Sequence, residues 1–125
     1  MTPETLLLRQ VHPSFIQNGR ITSQVFRPTP KDEQLLSVDN NDSVTPHESW
    51  RRFTANLVCK SIGVLAVSYS QCVEQELPVI EDGTPYPEHC SIKFSDFEKR
   101  DIEKKAKLLR AKAEERGWLF SADVA

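Results

Sequence analysis

Glycine is scarce in this chain, four of 125 residues, beside eight prolines, one methionine and three cysteines. So little glycine, with prolines scattered through the chain, excludes collagen-like and low-complexity architectures, and 38% hydrophobic residues are too many for a chain disordered throughout. The cysteines, Cys59, Cys72 and Cys90, are an odd number at wide spacing, which fits reduced thiols in a cytoplasm better than a secreted disulfide framework. A long apolar run is also missing. The longest, around Ile62 to Tyr69, falls well short of the roughly 18–20 residues that cross a bilayer. Met1 to Leu8 carries Glu4 and no basic flank, so it reads as the start of a domain and not as a signal peptide. No membrane partner is expected.

The motifs of nucleotide-binding loops are absent: no G-x-G-x-x-G and no G-x4-G-K occurs, which excludes ATP and NAD binding by those folds. His12, His47, His89 and the cysteines show no C-x-x-C or H-x3–5-H spacing. As strand neighbours, His89 and Cys90 would point to opposite faces, so neither a metal nor a cofactor is expected. A cysteine nucleophile has no better support, because each thiol lies in an apolar or strand-like stretch where thiols are inert.

What the chain does contain is enough for one packed domain spanning 1–125, with a core over about 5–120 and the last residues loose; at this length no disulfide or metal staple is required. Thr5 to Val11 reads as a strand closed by His12-Pro13. Asn18-Gly19 marks a turn, Ile21 to Arg27 alternates like a strand, and Pro28 to Asp32 breaks it. Leu35 to Val38 is a short strand followed by a polar loop, Asp39 to Ser43. Thr45-Pro46-His47-Glu48 is a capping box with proline at the first helical position, opening a mid-chain helix over about 45–57 that carries Trp50, Phe53 and Leu57 as its stripe. Gly63 to Tyr69 reads as the central strand, Ser70 to Glu76 as one or two helical turns, Leu77 to Ile80 as an edge strand, and Cys90 to Phe94 as the last strand. Ser95-Asp96-Phe97-Glu98 is a second capping box for a long helix over about 96–116, with Ile102, Ala106, Leu109 and Ala113 as a narrow stripe and Gly117 as its stop. Trp118, Leu119 and Phe120 should fold back onto the body. The class predicted is α+β: a mixed or mostly antiparallel sheet of four to six strands, a mid-chain helix and a long amphipathic C-terminal helix.

A net charge of -2 conceals a polarised chain. Between Ser61 and Ile92 there is no Lys or Arg, while Glu74, Glu76, Glu81, Asp82 and Glu88 are present. The last helix is crowded with lysines, among them Lys104, Lys105, Lys107 and Lys112, which read either as a solvated face with i, i+4 pairs or as a ridge that meets an acidic partner or RNA. Arg20 and Arg27, with the hydroxyl of Ser23 and an imidazole from His12 or His89, are the residue types a phosphate or nucleotide site needs: fixed donors for the anion and a group that moves a proton near neutral pH. The alternative is that these arginines bind loop carbonyls or the acidic segment 81–88, and that both histidines are satisfied at strand ends.

Thr22-Ser23-Gln24-Val25-Phe26, Leu36-Ser37-Val38, Gly63 to Val67, Leu77-Pro78-Val79 and Asp82 to Cys90 together resemble a group of short bacterial proteins of unknown function sharing Ser-x-x-Phe, Leu-Ser-Val and Pro-x-His boxes. The resemblance spans roughly residues 6–94, leaves out the final helix, and departs at Gly83, where proline is common. It singles out Arg20, Ser23, Phe26, Ser37 and His89, and implies a stand-alone intracellular bacterial protein encoded beside larger partners in a conflict or toxin-related cluster. The function expected is a non-enzymatic interaction protein or accessory component, leaning away from an enzyme. The alternative is a small nucleotide- or nucleic-acid-processing enzyme using Arg20 and Arg27 with His12 or His89. A third reading is nucleic-acid binding through the basic helix.

Overall fold

The computed structural model describes residues 1–122, apart from the side chain of Lys31. In chain order the elements are β1 (Leu6–Gln10), β2 (Ile16–Gln17), β3 (Arg20–Ile21), β4 (Leu35–Asn40), α1 (Pro46–Thr54), β5 (Gly63–Ser68), α2 (Tyr69–Glu74), β6 (Val79–Ile80), β7 (His89–Lys93), α3 (Lys99–Arg116) and β8 (Phe120–Ser121), with short 3-10 turns between them. Six strands form the main sheet in the order β6-β7-β4-β1-β5-β8, and every neighbouring pair is antiparallel. The fold is therefore α+β, with none of the parallel pairing that a mixed sheet would contain. β2 and β3 form a separate hairpin whose two loop residues, Asn18 and Gly19, both take positive φ (52° and 77°), matching the twist of the flanking strands.

Period-two alternation divides the sheet's side chains between two layers. Leu7 of β1 with Val11 just beyond it, Leu36 and Val38 of β4, Leu65 and Val67 of β5, and Cys90 and Ile92 of β7 face α3, which returns Ile102, Ala106, Leu109 and Ala113. On the opposite face Leu8, Val64 and Ala66 meet Val44, with Trp50 and Phe120 half-buried beside them. All six residues of β5 are buried, as a central strand requires. The returning segment secures its outer edge: Leu119 N–H donates to Val64 O at 3.0 Å, and β8 pairs Phe120 with Val64. The expectation of a loose end falls on residues 123–125, outside the described residues.

Four local readings need correction. Ile21 to Arg27 is not a strand: β3 ends at Ile21 and Ser23–Phe26 forms a 3-10 turn. In a strand Val25 and Phe26 would point to opposite faces, whereas the turn buries both in the α3 layer. α1 stops at Thr54, whose hydroxyl bonds back to Trp50 O at 2.8 Å, and Leu57 lies beyond it, 90% exposed, so of the predicted stripe only Trp50 reaches the core. The turns expected over Ser70 to Glu76 form α2 one residue earlier, from Tyr69, because Ser68 caps it: its hydroxyl and the Gln71 side chain satisfy each other's backbone N–H groups. α3 begins at Lys99, with Glu98 at the cap making no side-chain bond, because Phe97 is anchored against the core and its N–H turns back to Phe94 O.

The approach of β8 leaves no room at Gly63. A Cβ there would stand 2.5 Å from Phe120 O and 2.9 Å from the Trp118 ring. Gly63→Ala is expected to destabilise the protein by about 1–3 kcal/mol and to shift Trp fluorescence as the terminal strand is displaced, measured by denaturant unfolding.

Candidate functional site

The residues chosen from sequence for a phosphate site are not assembled into one. His12 is exposed and caps the turn at Pro13–Phe15, its Nδ1 accepting from Ser14 N–H at 2.9 Å. Arg20 is exposed on β3, and Ser23 is half-buried at the start of the following turn. Arg27 pairs with Glu103 of α3 at 3.4 Å across an exposed gap, so it meets an acid outside the segment 81–88. Exposed pairs of this kind contribute little to stability. His89 lies elsewhere, on β7 in a cleft that includes neither Arg20 nor Arg27.

The lysines divide in the same way. Lys105 is not part of a free ridge: its ammonium donates to Gln75 O and sits 4.2 Å from the Phe97 ring centroid, tying α3 to the end of α2. Lys104 and Lys107 are exposed and, with Arg100, stand at i, i+4 and i+7, one stripe along the helix. Lys104 and Lys112 flank Leu108, which is 41% exposed. Among the described residues none of these four cations forms an ion pair.

On the other side of the sheet is a cleft of about 220 Å³. Its floor is the polar parity of the strands: Gln10 from β1, Ser37 and Asp39 from β4, and His89 from β7, with Asp39 and His89 directly opposite in register. α1 supplies one wall through Ser49, Arg52 and Phe53, and the loop before β7 supplies the other through Pro85 and Tyr86. That loop turns at Gly83 (φ 64°), a conformation closed to proline, and is held by Gly83 N–H donating to His89 O.

A hydrogen-bond network orients these groups. His89 Nδ1 lies 2.5 Å from Asp82 Oδ1, and Ser91 Oγ donates to Asp82 Oδ2 at 2.6 Å. Ser49 Oγ donates to Asp39 Oδ2 at 2.6 Å and accepts from Gln10 Nε2 at 3.0 Å. Arg52 is committed, forming an ion pair with buried Glu88 while its guanidinium lies 3.9 Å from the Tyr86 ring centroid. Partial burial pushes Asp82 upward, but the hydrogen bonds from Ser91 and His89 and the histidine's charge outweigh it, holding the carboxyl below its ordinary value of 3.8.

Arg9 went unnoticed as a candidate, yet it ties three segments of the fold together. Its Nε donates to Val25 O at 2.8 Å and its Nη1 to Ser37 O at 3.1 Å, joining β1, β4 and the 3-10 turn. Burial lowers it to about 10, with Asp32 opposing that fall. A signal for it was present: Arg9 shares the parity of Leu7 and Val11, so a charge stood between two core residues on one face. Comparisons with protein-family models, curated proteins and solved structures find no match to this chain.

Two outcomes are expected from these environments. The stabilising effect of ionised Asp82 is present above the ordinary carboxylate range and is lost as pH falls through its depressed pKa. Asp82→Asn should therefore be less stable than wild type by about 1 kcal/mol near neutral pH, and the gap should narrow progressively as pH falls below about 4 in urea unfolding. Burial raises Cys72 to about 12 and, aided by Glu81, Asp82 and Asp39, Cys90 to about 11, while Cys59 is only half-buried. Native protein should expose one thiol to a disulfide reagent at mildly alkaline pH, and denatured protein three.

Proposed function

We propose that this chain is a non-enzymatic interaction protein whose α3 ridge docks on an acidic face of a partner protein. The observation that carries the reading is the stripe of Arg100, Lys104 and Lys107, extended by Lys112 around Leu108, all exposed and none in an ion pair among the described residues. Complementary charge speeds encounter and sets orientation, and an exposed leucine between two lysines offers a small apolar contact inside the charged field. An acidic protein suits this surface better than RNA does, because Asp101 and Glu115 are exposed on the same helix and the whole chain carries -2, where phosphate-driven binders carry a clear excess of cations.

Resemblance to short bacterial proteins and three unpaired cysteines support a setting in a bacterial cytoplasm, as an accessory component encoded beside its partner in a conflict or toxin-related system. No helix among the described residues is long and apolar enough to cross a membrane.

The test is affinity capture from the native host with wild-type protein and with Arg100→Glu/Lys104→Glu/Lys107→Glu. Lys105 is left intact because it braces the fold. Recovery of one protein partner should fall about tenfold in the variant and weaken with added salt. Undiminished recovery overturns the ridge as the contact, and nuclease-sensitive recovery replaces the protein partner with a nucleic acid.

A further inference from the structure

The cleft beneath α1 carries chemistry that the basic ridge does not use. Of the two arginines that line it, Arg9 turns its guanidinium to the carbonyls of Val25 and Ser37 in the other layer and Arg52 is paired with Glu88, so it offers an anion no free cation among the described residues. What it offers is acceptors. Asp82, ionised, can only accept, so Nδ1 of His89 carries the proton between them, which makes Nε2 a lone-pair acceptor in the neutral ring. Asp39 keeps acceptor capacity beyond its bond from Ser49. Gln10 Oε1 is buried without a hydrogen-bond partner among the described residues, an unmet acceptor that ordinarily costs about 1–3 kcal/mol. Two rings stand in the walls, Phe53 (37% exposed) and Tyr86 (40% exposed), the latter with Arg52 against one face. The volume of about 220 Å³ lies below the roughly 300–1,000 Å³ of sites that enclose drug-sized ligands.

We propose that this cleft binds a small planar heterocycle bearing N–H donors, of the amino-nucleobase class, with His89, Asp39 and Gln10 as acceptors and Phe53 and Tyr86 as its aromatic walls. Acceptors on the floor select for exocyclic amino or ring N–H groups, the flat walls select for a ring, and the size limits the ligand to one or two fused rings without a phosphate. Asp82 is a positioning residue, fixing the ring orientation and tautomer of His89 through the Nδ1 contact.

Titration of the full chain with adenine and with cytosine, followed by NMR of the histidine side chains and by calorimetry, tests the proposal, with pyridine and inorganic phosphate as comparison probes. One amino-bearing base is expected to bind one-to-one and to shift the His89 ring signals, while pyridine and phosphate leave them unmoved. Phe53→Ala, at an exposed position on α1, and Asp39→Asn should each raise the Kd about tenfold, the first without lowering the melting temperature. No shift at His89 with either base at up to about 5 mM overturns the proposal. So does binding of pyridine or phosphate as tight as that of the bases, or binding that neither variant weakens. These readouts are independent of the α3 ridge, so either conclusion can fail alone.

Discussion

The organising constraint is a strand with no side in water. β5 is buried along its whole length, so each of its faces needs a cover and its outer edge needs a partner. α3 covers one face, α1 the other, and β8 closes the edge. The two covers are unequal. α3 has 18 residues, while α1 has nine, about 14 Å of helix against a six-stranded sheet about 24 Å across. α1 therefore shields β1, β5 and β8 and stops, and the polar parity of β4 and β7 beyond it becomes the floor of a cleft.

Polar residues on that floor are accommodated because they bond to one another. Asp82 is met by Ser91 and His89, Asp39 by Ser49, and Glu88 by Arg52. The middle of the chain, which contains no cation of its own between Ser61 and Ile92, takes its positive partner from α1 through Arg52. Arg9 serves the other layer, its guanidinium saturating backbone carbonyls that β4 and the 3-10 turn would otherwise leave without donors. Its two hydrogen bonds hold the turn carrying Phe26 against the sheet.

Charge is sorted by layer. The exposed cations of α3 lie over one face of the sheet, and the carboxylates and imidazole of the cleft lie on the opposite face. A partner on the ridge and a small ligand in the cleft would therefore not compete for space.

By itself the sequence determined the elements whose signals are local. Apolar runs located β1 and β5 and alternation located β7; Thr45-Pro46 started α1; and the 4-3-4 spacing of Ile102, Ala106, Leu109 and Ala113 aligned α3, because these signals are written into neighbouring residues. Tertiary structure decided the rest. Val25 and Phe26 became a turn because both had to reach one layer, Leu57 was left in solvent because α1 ended early, and Lys105 was withdrawn from the ridge by a carbonyl 30 residues away. The site followed the same rule. His89 was visible as a residue, but its company was not: Asp39 stands opposite it only through strand register, Ser49 meets Asp39 only through helix docking, and Arg20 and Arg27 never join them. Local spacing sets which way a side chain points, while the partners it meets depend on contacts between segments far apart in the chain, which no short window of sequence contains.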